Sequence, residues 1–232
     1  MNRRIALIPA AGVGERFGAG KPKQYVEING KTVLAHTLDI FLQHAQIDRV
    51  AVVLSPDDVF FQTACRIRHD RLTVLRCGGI SRAESVRNGI DALLQQGLAS
   101  GSDRILVHDA ARCCLPPEAL TRLIEAVGDD ENGGILAIPV ADTLKRADAD
   151  KRTAETVSRE RLWQAQTPQM FQTALLQRAL SGGLDGITDE ASAVERLGFK
   201  PRLVQGDVRN LKLTLPQDEH IVRLLLSDGP SR

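Results

Sequence analysis

The chain has 232 residues, 43% of them hydrophobic and 25% charged, the make-up of a soluble globular protein long enough to bury a substantial core in one α/β domain. A net charge of +1 argues against a broad nucleic-acid footprint, and an aromatic content of 3% against a row of base-stacking platforms. The basic groups that matter must therefore act locally.

At the N-terminus Arg3-Arg4 precedes an apolar run, which imitates a leader peptide. Pro9 interrupts that run and charge returns at Glu15, so Ile5–Ile8 reads better as a buried first strand. Similar runs at Val50–Leu54, Leu72–Leu75, Ile105–Val107 and Ile135–Ile138 predict further strands. Between them, apolar residues recurring at three- and four-residue steps predict helices over Val33–Leu42, Val86–Leu94 and Leu120–Val127. From Ala141 to Gln166 the chain turns polar, with a turn at Asp148-Ala-Asp-Lys151. Long structureless loops are uncommon inside compact domains, so this stretch predicts a β-hairpin arm leaving the body. Pro216–Leu226 predicts a last helix packed against the sheet, and no stretch reaches membrane-spanning length. The alternation predicts an α/β fold: a Rossmann-like, mostly parallel sheet with helices on both faces. It makes one domain of residues 1–232, with 141–166 protruding. Ligands in such sheets bind beyond the carboxyl ends of the strands. That rule gathers the loops after Ile8, after Cys77 and around Asp109 at one edge.

The first of these loops, Pro9-Ala-Ala-Gly-Val-Gly-Glu-Arg-Phe-Gly18, is followed by Lys21-Pro-Lys-Gln-Tyr25. Small residues let backbone N–H groups approach an anion, and fixed cations neutralise it; the loop reads as a phosphate holder. It is not a P-loop, because Glu15 stands where the first glycine belongs and Pro22 where the hydroxyl belongs. Nor is it a dinucleotide fingerprint: Gly12 and Gly14 fit, but the third place is Phe17. Cys65, Cys77, Cys113 and Cys114 form no C-x-x-C pair, and the histidines no H-E-x-x-H, which argues against a structural zinc site. Cys77 and Cys114 read as small core side chains, and reduced thiols in a cytoplasmic protein are expected.

With the loop, four further segments occur in order along nearly the whole chain: Gly78-Gly-Ile-Ser-Arg-Ala-Glu-Ser-Val86, Val107-His-Asp-Ala-Ala-Arg112, Ile187-Thr-Asp-Glu-Ala191 and Asn210-Leu-Lys-Leu-Thr214. Together they resemble the 2-C-methyl-D-erythritol 4-phosphate cytidylyltransferase family, nucleotidyltransferases of the non-mevalonate isoprenoid pathway. The resemblance implies transfer of a cytidylyl group from CTP to 2-C-methyl-D-erythritol 4-phosphate with release of pyrophosphate. It also implies Mg²⁺ or another divalent cation, and a homodimer joined through the arm. A phosphomonoester nucleophile has a second pKa of about 6 and needs no general base, which accords with the lack of any Ser–His–Asp or Cys–His arrangement in these segments.

By the resemblance, Arg16 and Lys23 stabilise the transition state at the α-phosphate. Pro9, Ala10, Ala11, Gly12 and Gly14 hold the nucleotide, with backbone N–H groups expected from Ala10 to Gly12. Gly78, Gly79 and Ser85 match the cytosine pocket; Ile80 stands where the family often has an acidic residue, so only its backbone amide is expected to serve. Arg159 and Lys212 match the pair that positions the sugar-phosphate, Arg159 from the partner's arm, and Thr143 and Thr167 match substrate-side hydroxyls. Asp109, at a strand's carboxyl end, is a candidate Mg²⁺ ligand and substrate contact, and Arg112, three residues on, is a second substrate contact or a partner for Asp109. Read singly, Ser85 equally begins a helix, Asp109 and Arg112 equally fix a turn, and Lys212 equally sits on an edge strand; Asp189-Glu190 is either a second acidic contributor or, the preferred reading, a helix N-terminus. The competing functions are a cytidylyltransferase for another polyol phosphate such as ribitol 5-phosphate, a non-catalytic nucleotide-binding module, and a glycosyltransferase. Arg16, Lys23 and Asp109 together disfavour the second. The only D-x-D noted for the third, Asp148-Ala-Asp150, lies in the arm's turn.

Overall fold

The computed structural model describes residues 2–12 and 22–227. Strand β1 (Arg4–Pro9) is central, paired in parallel with β4 (Arg49–Val53) on one side and β6 (Arg104–Val107) on the other. The short strands β2 (Glu27–Ile28) and β3 (Lys31–Thr32) form a separate small hairpin. Beyond β4 lies β5 (Leu72–Leu75); beyond β6 come β10 (Trp163–Gln172), β7 (Gly134–Pro139) and β11 (Arg202–Gln205), in the order β11-β7-β10-β6-β1-β4-β5.

The uninterrupted apolar runs exist because both faces of these strands are covered. Ala6, Ile8, Val50, Val52 and Leu106 face one layer, against α1 (Val33–Gln43) and α4 (Pro117–Val127). Ile5, Leu7, Ala51, Val53 and Ile105 face the other, against α3 (Arg82–Gln95) and α5 (Thr173–Ser181). The one-turn helix α2 (Phe61–Ala64) adds Phe61 to the first layer, and α6 (Glu190–Glu195) adds Ala193 and Val194 to the second. All five expected strands and the three expected internal helices are present, within a few residues of their predicted ends.

Three expectations change. The arm is a hairpin, β8 (Leu144–Ala147) against β9 (Thr153–Val157), almost wholly exposed and outside the main sheet. It ends before Gln166, however: Val140 N–H donates to Leu162 O at 3.0 Å, and from Trp163 the chain is strand β10, antiparallel between β7 and β6. Polar Gln166, Thr167 and Gln169 and a proline masked this strand in the sequence, since proline argues against a central position; a register irregularity between Ala165 and Gln169 accommodates it. The last helix, α7 (Asp218–Ser227), does not pack on the main sheet. Its Val222 joins Ile28, Val33, Ala111, Cys113 and Leu213 in a satellite cluster. Finally, the buried thiols are Cys65 and Cys113, while Cys77 and Cys114 are half-buried; all four are free.

Candidate active site

At the carboxyl ends of β1, β5 and β6 lies a cavity of about 400 Å³, walled by Pro9–Gly12, Lys23, Gln24, Gly79–Arg82, Ser85, Asp109–Ala111 and Lys212. A second, of about 190 Å³, adjoins it; Arg82, Asp109 and Lys212 belong to both, and Arg112, Thr167, Gln169 and Asp189 line the smaller one alone. Gly14 and Arg16 lie outside the described residues.

The phosphate loop is held from behind. Gln24 Nε2 donates to Ala10 O at 2.9 Å and Gly12 O at 3.0 Å. With these carbonyls anchored, the Ala11 and Gly12 N–H groups have no partner among the described residues. Ala10 departs from expectation, because its N–H extends the sheet by donating to Val53 O at 2.8 Å. Lys23 Nζ reaches Leu213 O at 3.2 Å, at the cavity's edge.

The second loop is built by the start of α3. Ser81 caps that helix, its hydroxyl accepting from Glu84 N–H at 3.1 Å. Ser85, one turn in, donates to Ser81 O at 2.9 Å and accepts from Gly79 N–H at 3.1 Å, so its hydroxyl shapes the pocket wall. The Ile80 side chain is fully exposed, and its amide is taken by Glu84 Oε2 at 2.8 Å rather than left for a base. Gly78 does not line the cavity; a Cβ there would stand 2.2 Å from Ala11 Cβ and 2.8 Å from Leu54 O. Its role is to let the two loops touch.

Asp109 is the electrostatic centre. Its Oδ1 accepts from Arg82 Nε at 2.7 Å; its Oδ2 takes Lys212 Nζ at 3.0 Å and Arg112 Nε at 3.4 Å. Burial alone would raise the carboxyl's pKa, but Arg82, Lys212 and Arg112 hold it well below the ordinary carboxylate range. Burial acts on Arg112 too, lowering its pKa against the opposing pull of Asp109. The backbone beneath is fixed as well. His108 Nε2 lies 3.0 Å from Arg112 O, a carbonyl that can only accept, so Nε2 carries the proton. His108 Nδ1 then accepts from the Thr167 hydroxyl at 3.1 Å, and Thr167 Oγ1 accepts from Asp109 N–H at 3.1 Å. Complete burial pushes the His108 imidazole down to about 4, so it is neutral at pH 7.

These three ion pairs bear on the expectation that Asp109 holds Mg²⁺. A carboxylate already shared by three cations would have to accept a fourth against their repulsion. Lys212, for its part, is on no strand; it pairs with Asp109 between the two cavities. Thr143 and Arg159 are exposed on the arm and line neither cavity. Asp189 is the N-cap of α6, as expected, accepting from Ser192 N–H at 2.9 Å. Glu190 beside it is buried and ion-paired to Arg82. Sequence reasoning passed over Gln24 and Arg82, and weighed Glu190 only together with Asp189. The available signal for Arg82 was a cation in the first turn of a helix, where the dipole disfavours one.

The chain matches the family model for 2-C-methyl-D-erythritol 4-phosphate cytidylyltransferase over residues 4–228. It is 64% identical over 228 residues to the protein of that name from Neisseria meningitidis serogroup C, covering 97% of each chain. To that from Laribacter hongkongensis it is 56% identical over 227 residues, again covering 97% of each. Among solved structures, a 4-diphosphocytidyl-2C-methyl-D-erythritol synthase superposes with a TM-score of 0.88 at 57% identity, covering 97% of this chain and 99% of that one. The cytidylyltransferase from Thermus thermophilus gives 0.77 at 30% identity, covering 98% and 100%.

Proposed function

The chain belongs to the 2-C-methyl-D-erythritol 4-phosphate cytidylyltransferase family, and from that membership we infer the reaction and a division of labour among the cleft residues. The enzyme transfers a cytidylyl group from CTP to 2-C-methyl-D-erythritol 4-phosphate, giving 4-diphosphocytidyl-2-C-methyl-D-erythritol and pyrophosphate. An oxygen of the polyol phosphate bonds to the α-phosphorus, and the bond from that phosphorus to the bridging oxygen of the β-phosphate breaks. The nucleophile is already an anion at neutral pH, so the barrier is the approach of like charges, and catalysis rests on position and charge.

In our reading the larger cavity takes CTP. The Ala11 and Gly12 N–H groups, without a partner among the described residues, face phosphate, and Lys23, with Arg16, neutralises charge developing at the α-phosphate. Gly79 and Ser85 shape the base pocket. The smaller cavity takes the polyol phosphate, with Lys212, Asp109, Arg112 and Thr167 on its walls; Thr143 and Arg159 come from the arm of a second copy in a homodimer. Mg²⁺, when bound, supplies charge neutralisation on the triphosphate, whose own oxygens are its proposed ligands in place of Asp109. We place the enzyme in the cytoplasm; among the described residues no helix is long and apolar enough to cross a membrane.

The observation that carries this assignment of roles is the meeting of Lys23, Asp109 and Lys212, distant in sequence, in one cleft of two lobes. A pyrophosphate-release assay over CTP, UTP, ATP and GTP with several polyol phosphates tests it. CTP with 2-C-methyl-D-erythritol 4-phosphate is expected to give the highest kcat/KM; a clear preference for another nucleotide or for ribitol 5-phosphate would overturn it.

A further inference from the structure

Asp109 is the middle of a longer chain of charges. Beyond it, the two terminal nitrogens of Arg82 grip both carboxylate oxygens of Glu190, at 2.7 and 3.0 Å. The Glu190 side chain is 1% exposed and that of Arg82 29%. Glu190 lines neither the larger nor the smaller cavity, whereas Arg82 lines both. The first residue of α6 is thereby tied to the first residue of α3, and both to the end of β6.

A buried carboxylate is costly unless it is paired, and a buried ion pair is seldom the most stable way to fill a core. The Asp109–Arg112 contact would fix its turn without Arg82 or Glu190. Arg82 also stands in a helix's first turn, where its charge opposes the dipole. Such an arrangement is better explained by what it orients than by the stability it adds. With Oδ1 held by Arg82, the Asp109 carboxylate presents Oδ2 to Lys212 at the wall between the cavities.

We propose that Glu190 is a positioning residue for the transfer reaction: by clamping Arg82 with two hydrogen bonds it sets the orientation of Asp109, and through Asp109 that of Lys212. This rests on the assignment of the smaller cavity to the polyol phosphate. Glu190 touches no substrate; its effect reaches the reaction only through Arg82 and Asp109.

The test is Glu190→Gln, assayed by pyrophosphate release with each substrate varied in turn. A glutamine offers one acceptor oxygen and confronts Arg82 with an N–H₂ group, so the two-bond clamp is lost. The KM for 2-C-methyl-D-erythritol 4-phosphate is expected to rise at least about tenfold, and that for CTP to stay within about twofold, with a thermal midpoint close to wild type. Arg82→Lys, which keeps the charge and loses the fork, is likewise expected to raise the KM for 2-C-methyl-D-erythritol 4-phosphate. In an Asp109→Asn background, Glu190→Gln is expected to add less than about twofold, because the path through Asp109 is already cut. Unchanged constants, equal rises in both KM values, or effects that multiply fully in the double variant would overturn the proposal. Should Glu190→Gln not fold, Arg82→Gln/Glu190→Gln takes its place, leaving two amides able to bond each other and no charge of this pair buried. Failure of that variant to fold marks the chain of charges as structural and also overturns the proposal. Wild type is run alongside: no product from CTP and 2-C-methyl-D-erythritol 4-phosphate overturns the functional reading and this inference together, whereas normal wild-type turnover with an unaltered variant overturns this inference alone.

Discussion

Lys23 and His108 illustrate two ways a single residue can serve the cleft. Lys23 brings a charge to the edge of the phosphate loop. Lys23→Ala is expected to lower kcat by on the order of 10²–10³, the usual cost of losing one electrostatic stabiliser, with a smaller rise in the KM for CTP; near-normal turnover would remove Lys23 from the chemistry. His108 never meets solvent and is held neutral, its pKa pushed down by burial to about 4. Unfolded, the imidazole titrates near ~6.5. Between those values the unfolded chain binds the additional proton, so stability rises with pH and is lost as pH falls from about 6.5 towards 4. Asp109, whose pKa is depressed by its cations, has the same sign but acts lower, below the unfolded carboxyl value of ~3.9. Urea midpoints measured from pH 4 to 7 are therefore expected to climb in wild type and to climb less steeply in His108→Asn. Parallel slopes would assign the acid sensitivity elsewhere.

The elements of the site work by contact between loops rather than by their own rigidity. Gly78 lets the loop after β5 lie on the loop after β1. Gly89 does the same for α3 against the sheet, since a Cβ there would stand 2.6 Å from Val53 Cγ2 and 3.0 Å from Leu7 Cδ1. Overpacking of this kind costs typically about 1–3 kcal/mol. Both Gly78→Ala and Gly89→Ala are expected to lose stability in that range by urea denaturation. Only Gly78→Ala, which displaces Ala11, is expected to raise the KM for CTP several-fold as well. Equal KM values in the two variants would mean that the loop contact does not shape the nucleotide site.

For the whole molecule, the exposed arm carries Thr143 and Arg159 outside the chain's own cleft. If Arg159 completes a partner's site, Lys23→Ala and Arg159→Ala, each inactive alone, complement each other when refolded together. About half of randomly paired dimers are mixed, and each mixed dimer has one whole site, so roughly a quarter of all sites recover. Mixed dimers captured by tagged pull-down without activity would show that Arg159 serves its own subunit. Activity is also expected to vanish with EDTA and return with Mg²⁺. Because Asp109 is already claimed by three cations, Asp109→Asn is expected to raise the KM of the polyol phosphate and leave the Mg²⁺ titration unchanged. A shifted titration would restore Asp109 as a metal ligand.

The central strands and their helices were legible in the chain because burial on both faces writes continuous apolar runs, and amphipathic helices write a three-to-four periodicity. The loop of small residues from Pro9 was legible as a candidate phosphate holder, because close backbone approach to an anion restricts residue type, whereas the segments around Gly79, Asp109 and Lys212 were legible only through their ordered resemblance to the family. Tertiary structure alone decided the rest. Strand β10 is polar because its Thr167, Gln166 and Gln169 side chains bond neighbours remote in sequence, among them Asp109, Asn210 and Asp189, so it carries no apolar signature. Only the packed molecule shows that the Ala10 and Ile80 amides are spent within the fold. The same holds for Asp109, whose three cations come from positions 82, 112 and 212. Hydrogen bonds and ion pairs between distant segments depend on where the backbone brings their partners, and no local pattern encodes that.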